Sequence, residues 1–440
     1  MRFVKPNSEC FFSSFLVPAI FVSCIVFSHL FGTWLNIVAL AIFVIYSFCV
    51  GTFKSYMLLF AAFPFANVFK LTASSLSFLT LCELFLMLKI FFDRLRTTHK
   101  INLRFFGGLV LYLGYITLIS LNDFQITSIL KNIAHIVILY FIIQINHKNP
   151  DFDLIVKRCS IILSISMILM MSLSLSNTYM RLVNDYLRIV RYGYGTEYLR
   201  NCGLFTDPNY CSLAIVMTLS FSSVLFYYKQ IGSEFWFLSV PLIVFGLTTY
   251  SRTFLLSICV FLLIFIFLVL FPRHHFWGVI VPILLLIIGY LAWSGHFEII
   301  NRTLVRLSGQ SDITNGRMSL NSTYIQYIID NPLVLLFGSG LNETRLSIGN
   351  NVHNLYIETV FRIGLVGTAL FVYCLYNCLY IKENVKKPFA TKIPVIMLLF
   401  LYFTLAGFSS FELVYYLMIC GLVANISKDC ALLNKTYVSA

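Results

Sequence analysis

Apolar runs of membrane-spanning length recur from Phe11 to Ile426 with short polar breaks between them, and that recurrence leaves few folds open to the chain. A helix needs about 20 apolar residues to cross the hydrocarbon core of a bilayer. Inside that core only helices or closed barrels satisfy every backbone group. The runs are continuous rather than alternating, so the expectation is an all-α polytopic membrane protein with about 12–14 transmembrane helices and two outer-face loops, the second partly helical. Spans are expected near 11–30, 34–50, 56–70, 75–92, 105–121, 129–145, 159–175, 209–228, 236–250, 254–271, 277–294, 356–380, 393–409 and 411–426. The third run is interrupted by Pro64, Asn67 and Lys70. No small-residue cleavage site follows the first run, which is expected to be retained as a helix.

Lysine and arginine in short loops set the orientation. Arg94, Arg96, Lys100 and Arg104 share one loop, Lys148, Lys157 and Arg158 another, and Lys382, Lys386, Lys387 and Lys392 a third. These loops and both termini are expected on the cytoplasmic face. The formal charge of +13 then reads as a topology signal, and no nucleic-acid partner is expected. The chain divides into an N-terminal bundle over 1–175, a first outer loop over 176–208, central helices over 209–294, a large outer loop over 295–355, and C-terminal helices with a cytoplasmic tail over 356–440. Most of the cysteines lie inside apolar runs, where cysteine behaves as a small hydrophobe. Cys202 and Cys211 flank a loop-helix junction, and only their proximity in the sequence suggests a pairing.

The two outer loops carry arginine but no lysine: Arg181, Arg188, Arg191 and Arg200 in the first, Arg302, Arg306, Arg317 and Arg345 in the second. Guanidinium is a planar fork suited to gripping phosphate oxygens, whereas ammonium is a point charge. The alternative is that these arginines pair with nearby carboxylates such as Asp185, Asp207 and Glu343, or reach toward lipid head groups. Arg252 is more specific. It sits in the turn Thr248-Thr249-Tyr250-Ser251-Arg252-Thr253, which cuts one long apolar run into two spans at the outer face, and a charge there needs a wet cavity or a partner. His353 stands where the second loop enters the membrane, and is the imidazole placed to take a proton near neutral pH. Met318–Ile329, following Arg317, is amphipathic and suited to lying at a membrane surface.

In chain order, Gly203-Leu204-Phe205-Thr206-Asp207-Pro208-Asn209, Ser251-Arg252-Thr253, Asn315-Gly316-Arg317, Asp330-Asn331-Pro332, a Gly338-Ser339-Gly340 turn and His353-Asn354 with Gly364 and Gly367 resemble the bacterial O-antigen polymerase and ligase superfamily over about 200–370. One departure is Arg362, where relatives often carry an acidic residue; Glu358 lies one turn earlier and an i,i+4 pair is expected in its place. The resemblance implies glycosyl transfer at the outer face, without metal or other cofactor, from an undecaprenyl-diphosphate-linked oligosaccharide donor to a lipid-linked acceptor. His353 is then the expected catalytic base. Arg252, Arg317, Arg200 and Arg191 are expected to bind the donor diphosphate, supported by Asn354, Asp207, Asn209, Glu358 and Arg362. No Asp-x-Asp pair stands in either outer loop to hold a divalent metal. The repeat-unit polymerase is favoured, and a chain-length regulator protein is then an expected partner. A ligase delivering finished polymer to lipid A-core, and a flippase for lipid-linked sugars, are the alternatives.

Overall fold

Long apolar stretches bounded by glycine, proline and hydroxyl residues dictate helices, and the computed structural model is helical in all its regular elements among the described residues. These are 9–95, 103–121, 129, 136–137, 140, 151–187, 200–273, 278–283, 317–340, 352, 354–379, 388–403 and 411–426. The helices are α1 (Glu9–Phe31), α2 (Trp34–Val50), α3 (Thr52–Ala62), α4 (Phe78–Leu95), α5 (Leu103–Ile119), α6 (Phe152–Ser174), α7 (Asn177–Leu187), α8 (Pro208–Tyr227), α9 (Glu234–Thr248), α10 (Arg252–Phe265), α11 (Arg317–Asp330), α12 (Pro332–Phe337), α13 (Leu355–Leu379), α14 (Ile393–Leu401) and α15 (Phe411–Ala424). α10 continues through a π-helical stretch, Ile266–Leu270. Among the described residues, four helical stretches are long and apolar enough to cross a membrane: Phe152–Ser174, Pro208–Tyr227, Arg252–Leu270 and Leu355–Asn377. The chain is an all-α polytopic membrane protein.

α8 is the axis of the bundle, buried along almost its whole length, as expected of a helix apolar on every face. Its small hydroxyl residues let neighbours approach closely. Thr218 and Ser220 donate back to Ala214 O and Val216 O at 2.8 Å each, so their polarity is satisfied within the helix. Ser222 instead reaches Ser160 of α6 at 2.9 Å. At one end of the bundle, α6 meets α3 through stacked Phe152 and Phe53 at 5.5 Å; Phe226 of α8 and Phe235 of α9 stack there at 4.7 Å.

Two expectations need correction. The third apolar run does not continue as a span to residue 70: α3 tightens into a 3₁₀ turn, Phe63–Phe65, and stops. Pro64 has no N–H to donate and its ring crowds the preceding turn. The irregular backbone that follows is satisfied from several sides: His29 Nε2 lies 2.9 Å from Val68 O, Asn36 Nδ2 donates to Lys70 O at 2.8 Å, and Ser77 Oγ donates to Ala66 O at 2.7 Å. Such closure is what a low-dielectric surrounding requires of non-helical chain. The first large loop is also partly helical. α7 buries Tyr179, Met180, Val183 and Leu187, a helical spacing that places one apolar face on the bundle. Tyr186 packs edge-on to His29 at 4.6 Å between ring centroids.

Candidate functional site

Residues 200–210 fold into a turn that occupies the end of the bundle opposite Phe53 and Phe152. Gly203 permits it, with φ of 59° and no side chain to collide with the thioethers of Met170 and Met171 beneath. Asn201 is its main fastener: Oδ1 accepts from Ser174 Oγ and from Gly203 N–H, both at 2.9 Å, and its own N–H donates to Thr248 O at 3.2 Å. Asp207 then caps α8, its Oδ1 accepting from Asn209 N–H at 2.6 Å. Asn67 Nδ2, on the irregular segment after α3, donates to Leu204 O at 3.0 Å. Cys202 and Cys211 are not joined in a disulfide, and both are buried.

The α9–α10 turn docks directly on this segment. Arg200 Nε donates to Thr249 O at 3.1 Å. Ser251 Oγ donates to Asn209 Oδ1 at 2.7 Å and accepts from Phe254 N–H at 3.2 Å, which caps α10. Tyr250 adopts φ of 47°, rare for a bulky residue, and thereby turns the chain so that Arg252 begins the new helix. Two stretches more than forty residues apart in sequence are thus fixed to one another by side-chain hydrogen bonds, and Asp207 and Arg252 belong to one surface.

Arg317 joins them from the large loop. It opens α11 and is partly buried. Burial pulls its guanidinium below the usual range; Asp207, then Tyr210, push it back up, and the charge of Arg252 lowers it again. Arginine stays protonated under such pressure, so the physical content is that Arg317, Arg252, Asp207 and Tyr210 share one electrostatic neighbourhood. Tyr210 also lies in the fields of Glu412 and Glu358. Glu358 is bound to Arg362 at 2.8 Å, and both side chains are buried; the expected i,i+4 pair is made.

Asn354 caps α13. Its Oδ1 accepts from Tyr356 and Ile357 N–H at 2.9 and 3.2 Å, and its Nδ2 donates to Phe403 O at 3.2 Å. The cap therefore needs nothing from His353, which lies outside the described residues, as does Arg191. The structure brings together Arg200, Asp207, Asn209, Arg252, Arg317 and Glu358, with Arg362 one turn behind Glu358. Two residues join the cluster that sequence reasoning passed over: Tyr210, and Glu412, buried in the first turn of α15. The signal for Glu412 was a carboxylate opening an otherwise apolar final run.

Asp207, Arg252, Arg317, Glu358 and Glu412 stand at or within the first turn of α8, α10, α11, α13 and α15, and each lies within electrostatic reach of Tyr210 or Arg317. Each helix N-terminus behaves as about half a positive charge and offers unsatisfied N–H groups. With Arg200, Arg252, Arg317 and Arg362 set against Asp207, Glu358 and Glu412, and the N-terminal dipoles added, the region suits a multiply charged anion better than an apolar ligand. Among the described residues no three His, Cys, Asp or Glu side chains group as a metal site would require.

A polytopic helical membrane protein with a cluster of arginines and carboxylates at one end of the bundle is the class these features define. Residues 237–372 match the family described as O-Antigen ligase. The matched stretch holds Arg252, Arg317, His353, Glu358 and Arg362, and supports the O-antigen polymerase and ligase superfamily. Comparison with curated proteins gives no match, and neither does comparison with solved structures.

Proposed function

We propose that this chain is an O-antigen polymerase, a glycosyltransferase that joins undecaprenyl-diphosphate-linked oligosaccharide repeat units at the periplasmic face of the inner membrane and releases undecaprenyl diphosphate. The observation that carries the reading is the electrostatic cluster of Arg252 and Arg317 at helix N-termini, supplied by three separate stretches of chain. The diphosphate of the donor lies against Arg252 and Arg317. An acceptor sugar hydroxyl attacks the anomeric carbon, the bond from that carbon to the diphosphate oxygen breaks, and the hydroxyl proton passes to His353. Charge grows on the departing diphosphate, and fixed guanidinium groups stabilise it without reorganising. Asp207 balances Arg317 through its field. Arg200, whose Nε is committed to Thr249 O, serves the fold of this turn as well as the field around it. No metal or organic cofactor enters this scheme.

The matched family, described as O-Antigen ligase, keeps a second reading open: a ligase that would transfer finished polymer to lipid A-core. Both readings use the same donor chemistry and differ in acceptor. The lipopolysaccharide pattern of a deletion strain separates them. Core bearing a single repeat unit is expected for the polymerase; bare core with lipid-linked polymer accumulating assigns the ligase; an unchanged ladder rejects both.

A further inference from the structure

α13 is broken at Gly364, whose φ of 64° and ψ of −177° are not helical. A break inside a helix removes the amide partners of the carbonyls just before it, and at membrane depth these must be satisfied by other groups. Three consecutive carbonyls are satisfied here. Phe361 O accepts from Ser339 N–H and from Ser339 Oγ, both at 2.8 Å. Arg362 O accepts from Gly340 N–H at 3.1 Å. Ile363 O accepts from the hydroxyl of Tyr115 on α5 at 2.8 Å.

That same hydroxyl lies 2.7 Å from Phe337 O, the last residue of α12. One phenolic proton is thus shared between two carbonyls on two different elements. The three glycines around it make room for the arrangement. A Cβ on Gly338 would lie 2.2 Å from Arg362 O, one on Gly364 would lie 2.4 Å from Leu336 O, and one on Gly367 would lie 2.5 Å from the ring of Tyr115. α12 therefore docks backbone to backbone on the break in α13, and Tyr115 closes the joint from the third side. α11, which begins with Arg317, is bound to the same joint: Tyr324 packs edge-on to Phe361 at 5.1 Å.

We propose that Tyr115 is a positioning residue, a clasp that holds the α11–α12 hairpin on the broken helix α13 and so fixes Arg317 relative to Glu358 and Arg362. Neither its hydroxyl nor its ring is a group of the diphosphate cluster; it acts through the placement of Arg317. The role in transfer rests on the polymerase or ligase reading above, while the clasp itself does not.

The test uses the full chain in lipid nanodiscs. Tyr115→Phe keeps the ring between Gly367 and Ile363 and removes only the hydroxyl. Hydrogen exchange at the Ser339 and Gly340 amides is expected to speed up about three- to tenfold, the range for one lost hydrogen bond. Gly367→Ala, which displaces the ring, should reproduce the change. Unchanged exchange at both amides in both variants overturns the clasp. Affinity for a synthetic polyprenyl-diphosphate-linked oligosaccharide is then measured for wild type, Tyr115→Phe, Arg317→Ala and the double variant. Tyr115→Phe should weaken binding about three- to tenfold alone and by less than about twofold once Arg317 is gone, because residues acting through one another are not additive. An equal loss in both backgrounds overturns the positioning role. If the wild-type chain does not bind that donor at all, the functional reading fails, and exchange at Ser339 and Gly340 still decides the clasp.

Discussion

Gly364→Ala is the substitution whose outcome follows most directly from the geometry, and Gly203→Ala is its control. Both glycines have positive φ, 64° and 59°, and at both a new Cβ would meet an atom closer than contact distance allows. The difference lies in what it meets. Above Gly203 the nearest atoms are the thioether sulfurs and the terminal methyl of Met170 and Met171, the ends of flexible chains that re-pack readily. Above Gly364 they are Leu336 O, Leu336 C and Phe337 N, main-chain atoms of α12 that move only if the whole joint lifts. Gly364 further combines its φ with an extended ψ, a region occupied essentially by glycine alone, where strain costs about 1–3 kcal/mol. If α12 lifts, the bonds from Ser339 to Phe361 O, from Gly340 to Arg362 O and from Tyr115 to Phe337 O weaken together, at roughly 0.5–1.5 kcal/mol each. Gly364→Ala should therefore cost about 3 kcal/mol or more, against about 1–2 kcal/mol for Gly203→Ala, where left-handed backbone strain is the main term. Gly338→Ala, facing Arg362 O from the other side of the same joint, should behave like Gly364→Ala. Reversible unfolding in mixed micelles measures all three. Equal losses at Gly203 and Gly364 would refute the argument that backbone approach, rather than φ, governs the site.

The clamping of a diphosphate by planar forks predicts that Arg252→Lys and Arg317→Lys insert normally but lose most polymer formation; near-normal lipopolysaccharide ladders from both would exclude it. His353→Gln should reduce turnover by about 10²–10⁴-fold in a purified assay while donor binding persists, since α13 is already capped by Asn354; activity within a few-fold of wild type makes His353 structural. Glu358→Gln leaves the buried Arg362 guanidinium without its carboxylate and should cost about 3–5 kcal/mol, whereas replacing both by apolar residues of similar volume should recover much of it, as read by the same unfolding titration. Reporter fusions after Ser339 should read as periplasmic and after Lys100 as cytoplasmic; a cytoplasmic signal at Ser339 would remove the donor site from the face where it is proposed.

How much of this was legible in the sequence depends on the range of the interaction that carries each feature. Helix positions follow from local hydropathy, and α2, α5, α8 and α13 lie within two residues of the runs that announce them. α7 was equally local, since Tyr179, Met180, Val183 and Leu187 keep a helical spacing, but its charged face resembled loop composition. The early stop of α3 was half legible: Pro64 announced it, while the bonds from His29, Asn36 and Ser77 that make the stop tolerable come from elsewhere in the chain. The candidate site divides the same way. Arg252 and Arg317 stand out as charges in costly places, and the Glu358–Arg362 pair follows from i,i+4 spacing. Glu412 and Tyr115 do not stand out, because one becomes part of the site only when α15 meets α8, and the other only when α5 meets a break in α13. Gly364 and Gly367 were recognisable as a motif, yet the reason for glycine at each is a neighbour contributed by α12 or α5.

The charges gathered around Tyr210 also bear on how the site would work. Among the described residues, Arg200, Arg252, Arg317 and Arg362 stand with Asp207, Glu358 and Glu412, so the side chains leave one more cation than carboxylates, and the helix N-termini add to that positive field. A cluster of bare arginines would bind a diphosphate tightly before and after reaction alike, and such uniform binding does not raise the rate of the chemical step. Carboxylates beside the arginines weaken the hold on the donor as it arrives. Among them, Glu358 also aims a guanidinium through its ion pair with Arg362, while Asp207 acts on Arg317 through its field. In the proposed transfer, breaking the bond to the anomeric carbon would raise the negative charge on the diphosphate, and the same fixed dipoles and cations would interact with it more strongly than before. On this view Asp207 is as much a part of the chemistry as Arg317. Asp207→Asn, which keeps an oxygen to cap α8, should tighten donor binding and slow turnover; weaker binding in that variant would show that Asp207 serves only to hold Arg317 in place.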